Sequence, residues 1–267
     1  MEHTVAMQRA IALAEKGLGK TAPNPIVGAV IIDSTGNVVG EGFHDRVNSP
    51  DHAEVVAIKA AGAKAKGATI VVSLEPCNHT GSTGACVQAI IDAGITTVVY
   101  AVSDPNEKAA GGADALRAAG ITVIEGVLKD EAAFSNRAWL MKIKKNRPFF
   151  TWKVAATLDG KVAAADGTSK WITNETSRGD VQILRRQADA ILVGTNTVIT
   201  DNPHLIPRGE FAGYAGNPIR VICGEQELPK DSAVFDSAAQ TVVVKSKDLD
   251  VLVERLNELG VNHVFVE

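Results

Sequence analysis

Aromatic side chains are scarce, at 4% of the chain, and only 3 cysteines occur among 267 residues. Both shortages exclude something. Proteins that grip single-stranded nucleic acid stack bases on rings along a basic groove, and a chain with few rings and a formal net charge of −4 does not offer that surface. An oxidised extracellular scaffold carries cysteines in larger and even number, so thiol chemistry or metal binding is the better use for those present here. No apolar run approaches the roughly 18 residues that cross a bilayer. The opening "MEHTVAMQRAIALAEKG" reads as an amphipathic core helix rather than a secretion signal, with Met7, Ala10, Ile11, Ala14 and Leu18 on one face. A cytoplasmic protein with a small-molecule partner, no nucleic acid and no membrane is therefore expected. No G-x-G-x-x-G follows a strand pattern either, which removes the standard dinucleotide-binding turn.

What is present is ordinary globular material, 45% hydrophobic and 22% charged, long enough for two cores. From Pro25 strand and helix patterns alternate: "IVGAVIID", "VVGEGFH", a helix after His52, "ATIVVSL", a helix from about Gly84 to Ala93, "TTVVYAV", "GGADALRAAG" and "ITVIEGVL". Glycines at 62, 94 and 120 close the helices. The succession predicts a three-layer α/β/α sandwich. "KDEAAFSNRAWLMKIKKN" reads as one helix, and "RPFFTWKVAATLDGKVA" restarts strand structure, so the boundary falls between a first domain, residues 1–145, and a second, 146–267. The second is again α/β, with strands "AILVG", "IRVIC", "TVVVK" and "HVFVE" and helices around "RGDVQILRRQA" and "LDVLVERLNELG".

The chemistry concentrates in "PDHAEVVAIKAAG" and "LEPCNHTGSTGAC". Hydrolytic zinc takes three nitrogen or sulfur ligands and leaves a fourth position for water; His52, Cys77 and Cys86 supply that set. Two thiolates balance the dication, and Cys86 falls in the opening turn of a helix, where a thiolate is favoured. Residues two apart on a helix diverge by about 200°, so Glu54 is the candidate proton carrier and not a fourth ligand. "HAE" and "PC" match the H-x-E and P-C-x-x-C signature of zinc nucleobase deaminases, although eight residues separate Cys77 from Cys86. His79 is a rival to His52 as ligand. Asn24 lies between two prolines, so a turn role stays open for it. Cys223, in "IRVICG", reads as a buried core thiol.

The long cysteine spacing, together with "APNPIVGAVI" and "GEGFHDR" upstream, resembles the deaminase domain of the bifunctional riboflavin-biosynthesis deaminase/reductases. The resemblance implies a cytidine-deaminase-like first domain that hydrolyses the ring amine of diaminohydroxyphosphoribosylaminopyrimidine. It also implies that Asn24 and His44 line the pyrimidine pocket and that His79 lies on a substrate-facing loop. Rival functions are another zinc deaminase, acting on a different nucleoside or base, and a metal-stabilised binding module without turnover.

In the second half "TWKVAATLDGKVA", "GTSKWITN" and "LRRQADAILVGTNTVITDNP" follow in the order of the same family's reductase domain, which is similar in fold to dihydrofolate reductase. This implies NADPH contacts from Ala155, Trp171, Thr197 and Asp201. Lys153, Ser169, Arg185, Leu205, Arg208 and Glu267 would then hold the ribosyl phosphate substrate, and the forked donors of Arg185 and Arg208 suit its phosphate. Read without the family, "LRRQ" is a solvated helix face and Trp171 is core filling. The chain stops at "HVFVE", where relatives continue, so an incomplete reductase domain and an uncovered final strand are expected. Self-association into a homo-oligomer is expected as well.

Overall fold

The computed structural model describes residues 2–78, 85–106, 110–212 and 216–267; His79 lies outside them. The chain divides into two compact units, Met1–Lys145 and Asn146–Glu267.

In the first unit the elements run α1 (His3–Glu15), β1 (Gly28–Ile32), β2 (Val38–Phe43), α2 (Ala53–Ala61), β3 (Thr69–Leu74), α3 (Cys86–Asp92), β4 (Thr97–Val102), α4 (Gly112–Ala118), β5 (Thr122–Glu125), α5 (Lys129–Ser135) and α6 (Arg137–Lys145). They build one five-stranded sheet in the order β2-β1-β3-β4-β5. The β1 strand is antiparallel to both neighbours, and β3, β4 and β5 are parallel. Strands buried on both faces read as continuous apolar runs, as "GAVII" and "TIVVSL" do. Two separate cores follow. Ala29, Ile31, Ile70, Val72 and Val98 pack with α2, α3 and α4 on one face, while Val30, Val71 and Val99 pack with α1, Trp139 and Leu140 on the other.

The alanine-rich composition of α2 has a packing cause. A Cβ at Gly42 would meet the Ala53 carbonyl oxygen at 2.4 Å, and one at Gly40 the Ala57 carbonyl oxygen at 2.3 Å. Helix and strand thus approach backbone to backbone, and Ala53, Ala57 and Ala61 are buried in the helix that makes this contact. That contact fixes where the helix begins, and with it His52 and Glu54.

Three expectations for this unit need adjusting. The face of α1 that is buried carries Ala6, Met7, Ala10 and Ala14, and the helix stops before Leu18. The segment after Val127 is two helices, not one. The break at Asn136 is bought by hydrogen bonds: its side chain accepts from the Ile26 amide at 3.3 Å and donates to the Ile26 carbonyl at 3.1 Å. β5 ends at Glu125 because Gly126 takes a positive φ of 82°.

The second unit contains β6 (Phe149–Trp152), α7 (Glu175–Gln187), β7 (Ala190–Gly194), α8 (Thr195–Asp201), β8 (Ile219–Cys223), β9 (Thr241–Val244), α9 (Leu249–Glu258) and β10 (His263–Val266). Its sheet is parallel throughout, in the order β6-β10-β7-β8-β9. β10 is therefore an interior strand, flanked on both sides, and not the exposed edge expected of a final strand. The strand restart after Pro148 lasts only four residues. Residues 153–171 turn repeatedly instead, at Asp159–Gly160 and Asp166–Gly167, where both glycines have positive φ. Cys223 is half-buried, and its thiol donates to the Ser246 carbonyl at 3.2 Å.

Candidate active sites

In the first unit, His52 is the residue that caps α2, in extended conformation, and Glu54 is the helix's second residue. Cys77 follows the exit of β3 and Cys86 opens α3. The ligand atoms of His52, Cys77 and Cys86 all lie within 4.8 Å of one another. The His52 Nδ1 atom is 3.2 Å from Cys86 Sγ and 3.6 Å from Cys77 Sγ. Zinc with ordinary bond lengths holds a tetrahedral nitrogen and sulfur about 3.6 Å apart, close to the two nitrogen–sulfur separations found here.

The electrostatics agree. A hydrogen bond from Cys86 pulls the Cys77 thiol far below its usual range, and the same bond, with burial, pushes Cys86 far above it. Two sulfurs this close compete for one negative charge, and a dication relieves that competition. His52 is raised by its contact with Cys77. Glu54 is only 3% exposed. Burial, and next the nearby Cys77 charge, raise its pKa above the carboxylate norm.

His44 lies beside this cluster, and Asn24 beside His44. The His44 ring meets His52 edge-on, centroids 5.3 Å apart, and burial lowers its pKa. A neutral His44 donates from Nδ1 to the Asp51 carbonyl at 3.0 Å, leaving Nε2 to accept from the Asn24 amide at 3.2 Å. Asn24 therefore does more than shape a turn: its side chain is oriented by His44.

Residues that drew no attention in the sequence hold this geometry. Glu75, in "LEPC", is buried, and its carboxylate accepts from the Asp104 amide at 3.1 Å and the Ala113 amide at 3.0 Å. A carboxylate immediately before the Pro-Cys pair was the available signal.

In the second unit a cleft of about 660 Å³ is lined by Lys153, Ala155, Ser169, Trp171, Arg185, Asp201 and Arg208, together with Lys170 and Arg178. Seven of the ten residues expected to contact substrate or cofactor are thus brought to one cavity. Thr197 lies partly exposed on α8, one helical turn before Asp201, and is not itself among the lining residues. Leu205 is buried, packed with Ile191, Val193 and Ile222, and is not among the residues lining the cleft. Glu267 is taken up by Arg185, whose Nε and Nη2 donate to its two carboxylate oxygens at 2.7 and 2.6 Å. Arg185 is accordingly no solvated helix residue. Trp171 is 72% exposed and is no core filler. Arg178, which lies over the Trp171 ring at 4.5 Å, had no sequence signal.

A buried His-Cys-Cys cluster beside a carboxyl group, on an α/β/α sandwich, defines a zinc-dependent deaminase unit, here followed by a second α/β unit with a cationic cleft. Residues 1–102 match the cytidine and deoxycytidylate deaminase zinc-binding region, and residues 148–267 match the RibD C-terminal domain. The riboflavin biosynthesis protein RibD of Mycobacterium tuberculosis (strain CDC 1551 / Oshkosh) is 46% identical over 91% of this chain and 72% of its own length. That of Aquifex aeolicus is 46% identical over 96% and 71%. The crystal structure of a diaminohydroxyphosphoribosylaminopyrimidine deaminase/5-amino-6-(5-phosphoribosylamino)uracil reductase from Thermotoga maritima superposes with a TM-score of 0.92, at 39% identity, over 99% of this chain and 80% of the other. The chain belongs to the RibD family of riboflavin biosynthesis proteins. It is a deaminase and reductase, with zinc and NADPH as the cofactors its two domains imply. Among the described residues no helix is long and apolar enough to cross a membrane.

Proposed function

We propose that the first unit replaces the ring amine of diaminohydroxyphosphoribosylaminopyrimidine with a carbonyl oxygen, and that the second reduces the ribosyl chain of the product to ribityl. Zinc, held by His52, Cys77 and Cys86, would supply the Lewis acidity that makes water a nucleophile at neutral pH. Glu54 takes the proton from the attacking water and returns it to the amine nitrogen as the carbon–nitrogen bond breaks, so that ammonia leaves. Its burial beside the three zinc donors places it for both transfers. Asn24 and His44 orient the pyrimidine through ring-edge hydrogen bonds. The observation that carries this reading is the placement of a 3%-exposed carboxyl group against three mutually close zinc donors.

In the second unit NADPH would supply the hydride. Ala155, Trp171, Thr197 and Asp201 are assigned to the cofactor. Lys153, Ser169, Leu205 and Arg208 are assigned to the substrate, with Arg185 and Glu267 contributing as a pair. The protein works in the cytoplasm, as a homo-oligomer. The direct test uses purified, zinc-loaded protein with the pyrimidine substrate. Glu54→Gln should retain the metal and lose ammonia release by at least a hundredfold; release at the wild-type rate would remove Glu54 from the mechanism.

A further inference from the structure

A sheet interior is an unfavourable place for a guanidinium, because removing its charge from water has to be offset by a well-filled set of partners. Arg220, on β8, is nevertheless fully buried. It shares the strand face of Ile222, whose apolar cluster includes Val198, Leu205 and Val234. Its fork closes on one stretch of chain, the turn Ala233–Phe235 and the residues after it. Nη1 donates to the carbonyls of Val234, Asp236 and Ala239 at 2.8, 3.3 and 3.5 Å, and Nη2 donates to the Asp236 carboxylate at 2.8 Å.

That stretch is in turn the seat of a loop between two cleft residues. Asp201 and Arg208 both line the cleft, and residues 202–207 run between them. The Asn202 side chain accepts from the Ala233 amide at 2.7 Å, the His204 ring lies 3.3 Å from the Asp236 carboxylate, and Leu205 shares an apolar cluster with Val234. The loop needs such a seat. Asn202 and Leu205 hold positive φ, 41° and 49°, and a residue with a side chain keeps that conformation only where its surroundings enforce it. From the other side α7 grips the same loop: Arg185 Nη1 donates to the Ile206 carbonyl at 3.1 Å, and the Gln182 side chain accepts from the Arg208 amide at 3.0 Å.

We propose that Arg220 is a positioning residue for the cleft. By pinning residues 233–236 to β8 it fixes the loop 202–207, and with it the placement of Arg208 and Asp201 toward the ligand, while touching no ligand itself. The consequence for catalysis rests on the reductase reading, which assigns Asp201 to the cofactor and Arg208 to the substrate; the seating of the loop does not depend on it.

Arg220→Met would strip Asp236 and three carbonyls of their donor and is expected to fold poorly, so the test works from the far end of these contacts. Asp236→Ala removes the carboxylate, whereas Asp236→Asn keeps Oδ1, the oxygen that accepts from both Arg220 and the Ala238 amide. Asn202→Gly removes the acceptor for Ala233 and still permits the positive φ. Positions 202 and 236 are exposed, so these variants should fold. Two quantities are measured on the intact protein: hydrogen–deuterium exchange across residues 202–208, and steady-state reduction of the deaminated product with NADPH. In Asp236→Ala and Asn202→Gly, exchange across 202–208 should accelerate at least tenfold, and KM for the ribosyl substrate should rise at least fivefold with kcat changed less than twofold. Asp236→Asn should stay within twofold of the wild type in both. A role in stability alone would lower the active fraction, and with it kcat, and leave KM where it is; that result, or wild-type exchange in both disruptive variants, overturns the proposal. A wild type that neither reduces the product nor binds NADPH removes the reductase reading instead. Exchange then decides the seating of the loop by itself, acceleration upholding it and wild-type rates overturning it.

Discussion

Gly112 is pressed against Pro76: a Cβ at position 112 would stand 1.8 Å from the Pro76 carbonyl oxygen. The start of α4 thus buttresses the residue that precedes a zinc ligand, and Glu75 fastens the same two segments through the Ala113 amide. Placement of Cys77 is consequently a property of the packing of α4 as much as of β3.

Substitution of Gly112 by alanine should disturb both. Backbone cannot yield as a side-chain end can, and such overpacking costs about 1–3 kcal/mol. The expected outcome is a lower melting temperature, together with faster loss of zinc to a chelator in competition assays. A variant that melts lower but holds zinc as the wild type does would show that Cys77 is placed independently of α4.

Removal of zinc should destabilise the first unit. An ion that binds only the folded state, present at a hundred times its dissociation constant, adds about 2.7 kcal/mol, and here it also relieves the competition between Cys77 and Cys86 for charge. Chelator should lower the thermal midpoint, and added zinc should restore it. In Cys86→Ala the midpoint should no longer respond to zinc; an undiminished response would mean that the ion binds elsewhere.

The Arg185 and Glu267 side chains are only 11% and 12% exposed. Breaking such a pair leaves a charge without its partner and costs about 3 kcal/mol, whereas neutralising both sides costs less. Arg185→Gln and Glu267→Gln should each destabilise more than half as much as the double variant, giving a favourable coupling in a denaturation cycle. Additive effects would reduce the pair to a surface contact.

These relationships divide by how much of their cause is local in sequence. His52, Glu54, Cys77 and Cys86 were legible because a metal imposes its own residue types and spacing. The helices were legible at their glycine stops, Gly62, Gly94 and Gly120, all at positive φ. The break at Asn136 was not, since its cause is Ile26, 110 residues away. Nor was the interior position of β10, because strand order is decided by sheet pairing and not by position in the chain. Trp171 shows the same limit from the other side: an indole reads as core until the turns of residues 153–171 leave it outside. The alanines of α2 look featureless until they are seen facing Gly40 and Gly42.

Asp189 offers a test by pH. Its carboxylate accepts from the Asn262 amide at 3.0 Å and the His263 amide at 2.8 Å, which favours the charged form, but burial outweighs both and raises its pKa from 3.8 to about 6. The folded state therefore holds this proton more tightly than the unfolded chain. The stabilisation is fully present below pH 3.8, declines as pH rises through about 6, and is gone above it. Asp189→Asn keeps an oxygen to accept both amides and removes the titration. The melting temperature of this variant relative to the wild type should thus rise between pH 4 and pH 7. A difference that stays level across that range would mean that the two amide hydrogen bonds, and not burial, govern the charge at Asp189.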